Sequence, residues 1–185
     1  MATLSLPTEY RLETEPPRLL RGIEAGILGG FAMLALLILG SLLRGHVWWE
    51  IPNVLGSTFY GTRAFRSGPG VATVSGAALH FVITGSIGAL FGLACGGIQQ
   101  RRRLVLLGLM AGIIWYYLGA GVFWSRINPW VPAIASQPIA ILSHAVFGAC
   151  LGRMARKFGR PTLDPKLPEE SSEPNTPFPA RDAVE

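Results

Sequence analysis

Four long apolar segments alternate with polar stretches or with stretches rich in glycine and proline. The apolar segments cover residues 19–43, 71–98, 104–123 and 138–154. About 20 apolar residues in a helix, rising about 1.5 Å each, cross the ~30 Å hydrocarbon layer of a bilayer. The pattern therefore predicts an all-α membrane protein, with four transmembrane helices in a domain spanning residues 18–157.

Two polar segments flank this predicted domain. Residues 1–17 carry three glutamates and lack the apolar core of a signal peptide, so the first apolar segment is predicted to remain as an uncleaved span. Residues 158–185 contain six prolines, six acids and three bases. Such a composition cannot bury enough apolar surface to offset the entropy of ordering, which predicts a disordered cytoplasmic tail.

Charged residues are scarce and unevenly placed. They make up 15% of the chain, against about 25% in soluble domains. Between residues 16 and 163 the only acids are Glu24 and Glu50. This segment cannot hold the paired carboxylates of most hydrolases or a two-metal centre, and it carries no nucleotide-binding, zinc or serine–histidine–acid motif. We therefore expect a non-catalytic protein without a cofactor.

The basic residues flank the apolar segments and indicate an orientation. Nine fall on one predicted side of the membrane and four on the other, and basic residues concentrate on the cytoplasmic side. This predicts a multi-pass membrane protein with both termini in the cytoplasm. A nucleic-acid partner is not expected, since it needs a basic face on a folded polar domain.

Small residues recur at every fourth position of the predicted spans, and their spacing indicates an internal repeat. Gly26 matches Gly108 at an offset of 82, and His80 matches His144 at an offset of 64. The pattern predicts two tandem helical hairpins, a parallel repeat rather than the inverted repeat typical of transporters. Glycines four apart allow close helix packing in lipid. The predicted packing glycines are Gly26, Gly30, Gly88, Gly92, Gly108, Gly112, Gly148 and Gly152.

Two histidines lie within the predicted spans, at similar depth. His80 and His144 are candidate axial ligands of haem b, because ionisable residues at this depth usually face the protein interior. The alternative is a pair of neutral imidazoles that hydrogen-bond across the repeat interface, with Thr84, Ser86 or Ser143 as partners.

A third histidine follows the first span, close to an acid. His46 and Glu50 are four residues apart and are expected to meet on a helical turn, where they would form a quinone or proton site. The alternative is an interfacial anchor with a solvated ion pair. Pro52 is expected to start a short helix lying on the membrane, from which Arg63 and Arg66 would reach lipid phosphates.

The stretches WWEIPNVLGSTFYG, ALHFVITGSIGALFG, WYYLGAGVFWSRINPWVP and LSHAVFG resemble small four-helix bacterial inner-membrane proteins with no assigned activity. The resemblance covers about residues 20–157, and it implies an architecture without site residues.

The expected function is an accessory or structural subunit of a larger membrane assembly, or a homo-oligomer. Its expected partners are the lipid bilayer and other membrane subunits or further copies of itself. Two alternatives remain: a haem b- or quinone-binding electron-transfer subunit, and a transporter of small solutes or lipids.

Overall fold

The computed structural model describes residues 16–98, 100–134 and 136–157, and within these ranges the chain forms helices and no strands. The predicted all-α fold is confirmed. Nearly all of the predicted polar N-terminal segment, and the predicted disordered tail over residues 158–185, lie outside the described residues.

Eight α-helices and one π-helical segment occur in the described part of the chain. Three helical stretches are long and apolar enough to cross a membrane, which indicates a membrane protein: Arg18–Leu42, Val71–Cys95 and Arg101–Ile127. In chain order the elements are α1 (Pro16–Leu42), α2 (Glu50–Tyr60), α3 (Arg63–Arg66), α4 (Val71–Cys95), α5 (Arg101–Leu118), the π-helical segment (Gly119–Trp124), α6 (Ser125–Ile127), α7 (Trp130–Ile134) and α8 (Gln137–Lys157).

The connection between α4 and α5 differs from the sequence prediction, which assigned it to the three arginines. The helix is interrupted at Gly96 and Gly97, and residues 101–103 form the first turn of α5. Glycine is among the poorest helix formers and arginine among the best, so the break occurs at the glycines. At its other end, α5 continues through the π-helical segment and α6 to Ile127, beyond the predicted end at residue 123.

The second helix also departs from the prediction of a helix lying on the membrane. Residues 51–57 of α2 are all buried, and the helix packs against α4. A methyl group at Gly76 would overlap the carbonyl oxygen of Pro52, and one at Gly56 would overlap that of Ala72. The two backbones therefore approach closely, and α2 belongs to the helix bundle. Arg63 and Arg66, on α3, are exposed.

Two close crossings organise the long helices. Helix α1 packs along α4, α5 packs along α8, and α1 also packs against α8, whereas α4 and α5 have few contacts with each other. At the first crossing Gly22 and Gly26 meet Gly88, and Gly92 meets Gly22. At the second crossing Gly108 and Gly112 meet Gly148, and Gly108 also meets Gly152.

The bundle has two ends, which we name by their connections. The turn end carries residues 96–98 and 100, and the loop end carries residues 43–70, 125–134 and 136. A hydrophobic core fills the interior toward the turn end, where Phe91 of α4 packs with Phe147 and Leu151 of α8; the latter two are fully buried.

Candidate ligand cavity between α4 and α5

A cavity of about 90 Å³ lies inside the bundle, toward the loop end. Its walls come from α1, α2, α4, α5, the π-helical segment, α7 and α8. Most of the lining is apolar. The lining residues are Met33, Leu37, Ile51, Val54, Leu55, His80, Ile83, Thr84, Trp115, Tyr116, Gly119, Ala120, Trp124, Val131, Pro132, Ile134, Ala140 and His144.

The space between α4 and α5 is open here and filled at the turn end. Toward the turn end, Phe91 and Phe147 occupy the interior. Toward the loop end the lining includes the small residues Gly119, Ala120 and Ala140. Helices α4 and α5 have few contacts with each other, and α2 and α7 cover the gap between them.

His80 joins the cavity to the first crossing. Its side chain is buried, and its Nε2 lies 2.9 Å from the carbonyl oxygen of Gly30 on α1. A carbonyl oxygen only accepts, so Nε2 carries the hydrogen and donates it. Thr84 Oγ1 in turn donates to the His80 carbonyl oxygen at 3.0 Å. The imidazole thus ties α4 to α1 through a backbone group.

This arrangement changes the hydrogen-bond partners inferred from the sequence. A histidine does bond across a helix interface, but its partner is a carbonyl oxygen of α1 and not one of the hydroxyls of Thr84, Ser86 or Ser143. Those three hydroxyls each donate to carbonyl oxygens of their own helix. In lipid this local bonding satisfies a hydroxyl without a partner helix.

His144 reaches the same cavity from α8. Its Nδ1 donates to the carbonyl oxygen of Ala140, one turn earlier, at 2.7 Å. Its ring meets that of Tyr116 edge to face, with centroids 5.3 Å apart. The structure therefore brings the two histidines of the predicted spans to one cavity, with Nε2 of His144 on the side of the ring away from the helix backbone.

The geometry does not fit haem b between these histidines. An engineered protein cavity of about 150 Å³ holds one benzene ring, and a porphyrin contains four pyrrole rings. At about 90 Å³ this cavity is smaller than that single-ring site. In addition, Nε2 of His80 is engaged by the carbonyl oxygen of Gly30. The cavity between the two histidines has no space for the macrocycle in this structure.

His46 and Glu50 do meet, at the junction of α1 and α2 and apart from the residues that line the cavity. His46 Nδ1 lies 2.9 Å from Glu50 Oε1, and Ser41 Oγ donates to Glu50 Oε2 at 2.5 Å. Ser41 is fully buried, whereas His46 is about half exposed. Both carboxylate oxygens are thus engaged within the chain, and the cluster fixes the start of α2 against the end of α1.

Two buried asparagines at the loop end were missed by the sequence reasoning. Asn53 Nδ2 donates to the carbonyl oxygens of Ala64 and Ser67, each at 3.0 Å, and its Oδ1 accepts from Thr73 Oγ1 at 2.6 Å. It therefore joins α2 to α3, to the residue that follows α3, and to the start of α4. The available signal was an asparagine directly beside a proline within an apolar stretch.

Asn128 performs the same role between α6 and α2. Its Nδ2 lies 3.0 Å from the carbonyl oxygen of Val54, 2.8 Å from Ser57 Oγ and 3.0 Å from Thr58 Oγ1. Its Oδ1 accepts from the backbone N–H of Trp130 at 3.3 Å. Asn128 also precedes a proline. The two asparagines together hold α2 and α7 in place over the cavity.

Searches for similar proteins give no further assignment: no protein-family model, no curated protein and no solved structure matches this chain.

Proposed function

We propose that this is a membrane protein that binds a small, largely apolar molecule in the cavity between α4 and α5, and that it acts by binding rather than by catalysis. The observation that carries the proposal is the cavity itself, which every long helix lines and which α2 and α7 cover. Apolar cavities of this kind stay open and take up apolar guests. The packed core toward the turn end closes the cavity on that side, which favours binding over passage through the bundle.

The proposed architecture has four spans in two tandem hairpins, with α8 as the fourth span. Helix α8 has 21 residues, which at about 1.5 Å per residue reach about 30 Å. The contacts at the two crossings support the repeat. Gly26 faces Gly88 in the first hairpin, and Gly108 faces Gly152 in the second, at the offsets of 82 and 64 that the sequence pattern predicts.

The proposed location is a bacterial inner membrane, with the turn end in the cytoplasm. Arg18, Arg153 and residues 101–103 all lie toward the turn end of the helices, in keeping with the positive-inside rule. Topology reporters fused after Ser57, Gln99, Asn128 and the C-terminus test this orientation. A non-cytoplasmic signal at Gln99 or at the C-terminus would overturn it.

Xenon binding tests the proposed cavity, because xenon enters apolar protein cavities without needing a hydrogen bond. We expect a saturable ¹²⁹Xe NMR shift with the purified protein in nanodiscs. Replacing Ala120, which lines the cavity, by leucine fills the space and should abolish the shift. The matched control Ala78→Leu adds the same side chain at an exposed position of α4 and should retain it. Equal xenon shifts in both variants would overturn the proposal.

A second proposed function is an accessory subunit or a homo-oligomer, as the sequence suggested. One observation favours it: a shallow surface groove between α1 and α4, lined by Ile23, Ile27, Phe81 and small residues that include Gly85. A methyl group at Gly85 would make only ordinary contacts, so the packing of α1 on α4 does not require a glycine at this position. The glycines at the two crossings meet each other inside the bundle, and they therefore do not argue for partner helices.

The mass of the protein in a mild detergent tests this second function. A dimer or a co-purifying membrane protein, lost in Gly85→Leu and retained in Ala133→Leu on α7, is the expected result. A monomer without a co-purifying protein would overturn it.

A further inference from the structure

The hydrogen bonds of the two cavity histidines determine which ring nitrogen carries the hydrogen. Nε2 of His80 and Nδ1 of His144 each face a backbone carbonyl oxygen, at 2.9 and 2.7 Å. A neutral imidazole has a single N–H, so the other nitrogen of each ring is a lone-pair acceptor. The acceptors are Nδ1 of His80 and Nε2 of His144. Neither has a hydrogen-bond partner among the described residues, and neither is fully buried, while both histidines line the cavity.

The hydroxyl of Thr84, beside His80, likewise has no hydrogen left to donate to a guest. It donates its hydrogen to the His80 carbonyl oxygen, which leaves only lone pairs on Oγ1. The two imidazoles therefore offer acceptors on the α4 and α8 walls, whereas Trp115, Tyr116 and Trp124, which also line the cavity, carry N–H and O–H donors. A guest that only accepts hydrogen bonds, such as a ketone, can bond to those donors but not to the imidazoles, whereas a guest with a hydroxyl group can bond to both.

We propose that the ligand of this cavity is a small neutral molecule with a hydroxyl or N–H group, which donates a hydrogen bond to His80 Nδ1 or His144 Nε2. The inference rests on the proposed function, that the cavity holds a ligand, and names the ligand's chemical class. The donor group lies against the imidazoles, and the carbon skeleton lies against Trp115, Trp124 and the apolar side chains of α2 and α7.

The charge and the volume of the cavity restrict the class of ligand further. The lining contains no acid, lysine or arginine, so an ionic guest would lose its hydration without gaining a counter-charge. The volume of about 90 Å³, at about 10–15 Å³ for each water position, suits a guest of only a few heavy atoms. Short alcohols and small amides have this size and polarity.

Propan-2-ol and acetone provide a matched pair of probes. They share one carbon skeleton, but only propan-2-ol can donate a hydrogen bond. With ¹⁵N-histidine-labelled protein in nanodiscs, we expect propan-2-ol to shift the acceptor nitrogen resonance of His80 or His144, and acetone at the same concentration to leave both unchanged. The His46→Gln variant assigns the third histidine. Equal shifts with the two probes, or none with either, would overturn the inference.

Displacement of xenon separates this inference from the proposed function. Propan-2-ol should displace xenon at about one fifth of the acetone concentration, since one net hydrogen bond changes affinity about five-fold. His144→Phe keeps a ring but removes the acceptor, and it should reduce this preference, whereas Ala78→Leu should retain it. Xenon binding without any preference for propan-2-ol refutes the donor inference and leaves the proposed cavity function standing. No xenon binding in the wild-type protein refutes the function itself.

Discussion

Replacing Gly88 by alanine tests whether the close crossing of α1 and α4 stabilises the fold. The added methyl group would overlap the carbonyl oxygen of Gly22 and would lie 2.6 Å from Cα and 2.7 Å from N of Gly26. Non-bonded carbon atoms meet at about 3.5–4.0 Å, so the contact is too short by about an ångström. All three obstructing atoms belong to the backbone. No side-chain rotation can relieve the overlap, and the two helices must separate.

The expected cost follows from that separation. Overpacking a tight interface destabilises a protein by about 1–3 kcal/mol, and α1 and α4 share one of the two largest helix interfaces of the bundle. Alanine is the better helix former by about 0.8–1 kcal/mol, which offsets part of this loss. For a chain of this size, each kcal/mol corresponds to about 2–4 °C in melting temperature. We expect Gly88→Ala to melt several degrees below the wild-type protein.

Gly85→Ala is the matched control, three residues away on the same helix. Its methyl group would meet only the Ile27 and Ile23 side chains, at 3.6 and 3.8 Å, which are ordinary contacts. This variant should melt at or above the wild-type temperature. Melting curves of the purified proteins in one detergent, followed by the loss of the monodisperse chromatographic peak, make the comparison. If the two variants shift equally, or if Gly88→Ala does not melt below the wild-type protein, the close-crossing argument is wrong.

Two further substitutions probe the contacts that hold the loop end. Asn128→Ala removes the hydrogen bonds to the hydroxyls of Ser57 and Thr58, so buried polar groups lose their partner and α2 and α7 should be destabilised by about 1–3 kcal/mol. Faster amide exchange in α2 and α7 than in the core of α8 is the expected result, and unchanged exchange would contradict this prediction. Ser41→Ala removes one hydrogen bond to the carboxylate of Glu50 and should lower the free energy of unfolding by about 1.5–3 kcal/mol. Ser41→Thr keeps the hydroxyl and should recover most of that loss. If the melting temperatures of the two variants are equal, this hydrogen bond does not stabilise the fold.

The sequence by itself determined the helical class and most of the membrane-length helices. In a bilayer each backbone polar group must be satisfied within its own segment, so the length of an apolar stretch nearly specifies a helix. Three of the four predicted segments correspond to helices long enough to cross the membrane. The end of α4 also follows from local sequence, because the helix breaks at Gly96 and Gly97. The prediction nevertheless placed this connection at the arginines that follow.

The sequence also indicated which polar side chains lie inside the spans, but not which groups they hydrogen-bond to. His80 and His144 were recognised as a pair at similar depth, and the structure brings them to one cavity. Their partners could not be read from the chain, because both are backbone carbonyl oxygens. Every residue offers such a group, so sequence carries no sign of which one lies within reach.

Only the tertiary structure decided the packing of α2 and the existence of the cavity. A short helix with one apolar face fits a membrane surface as well as it fits a groove, and the close approach of Gly56 and Gly76 to neighbouring backbones places α2 in the bundle. The cavity lies where α1 and α8 pack together while α4 and α5 do not, which leaves a gap between α4 and α5. Hydrophobic periodicity specifies which face of each helix is buried. The volume left between buried faces depends on how several helices pack together, and no single segment of the sequence contains that information.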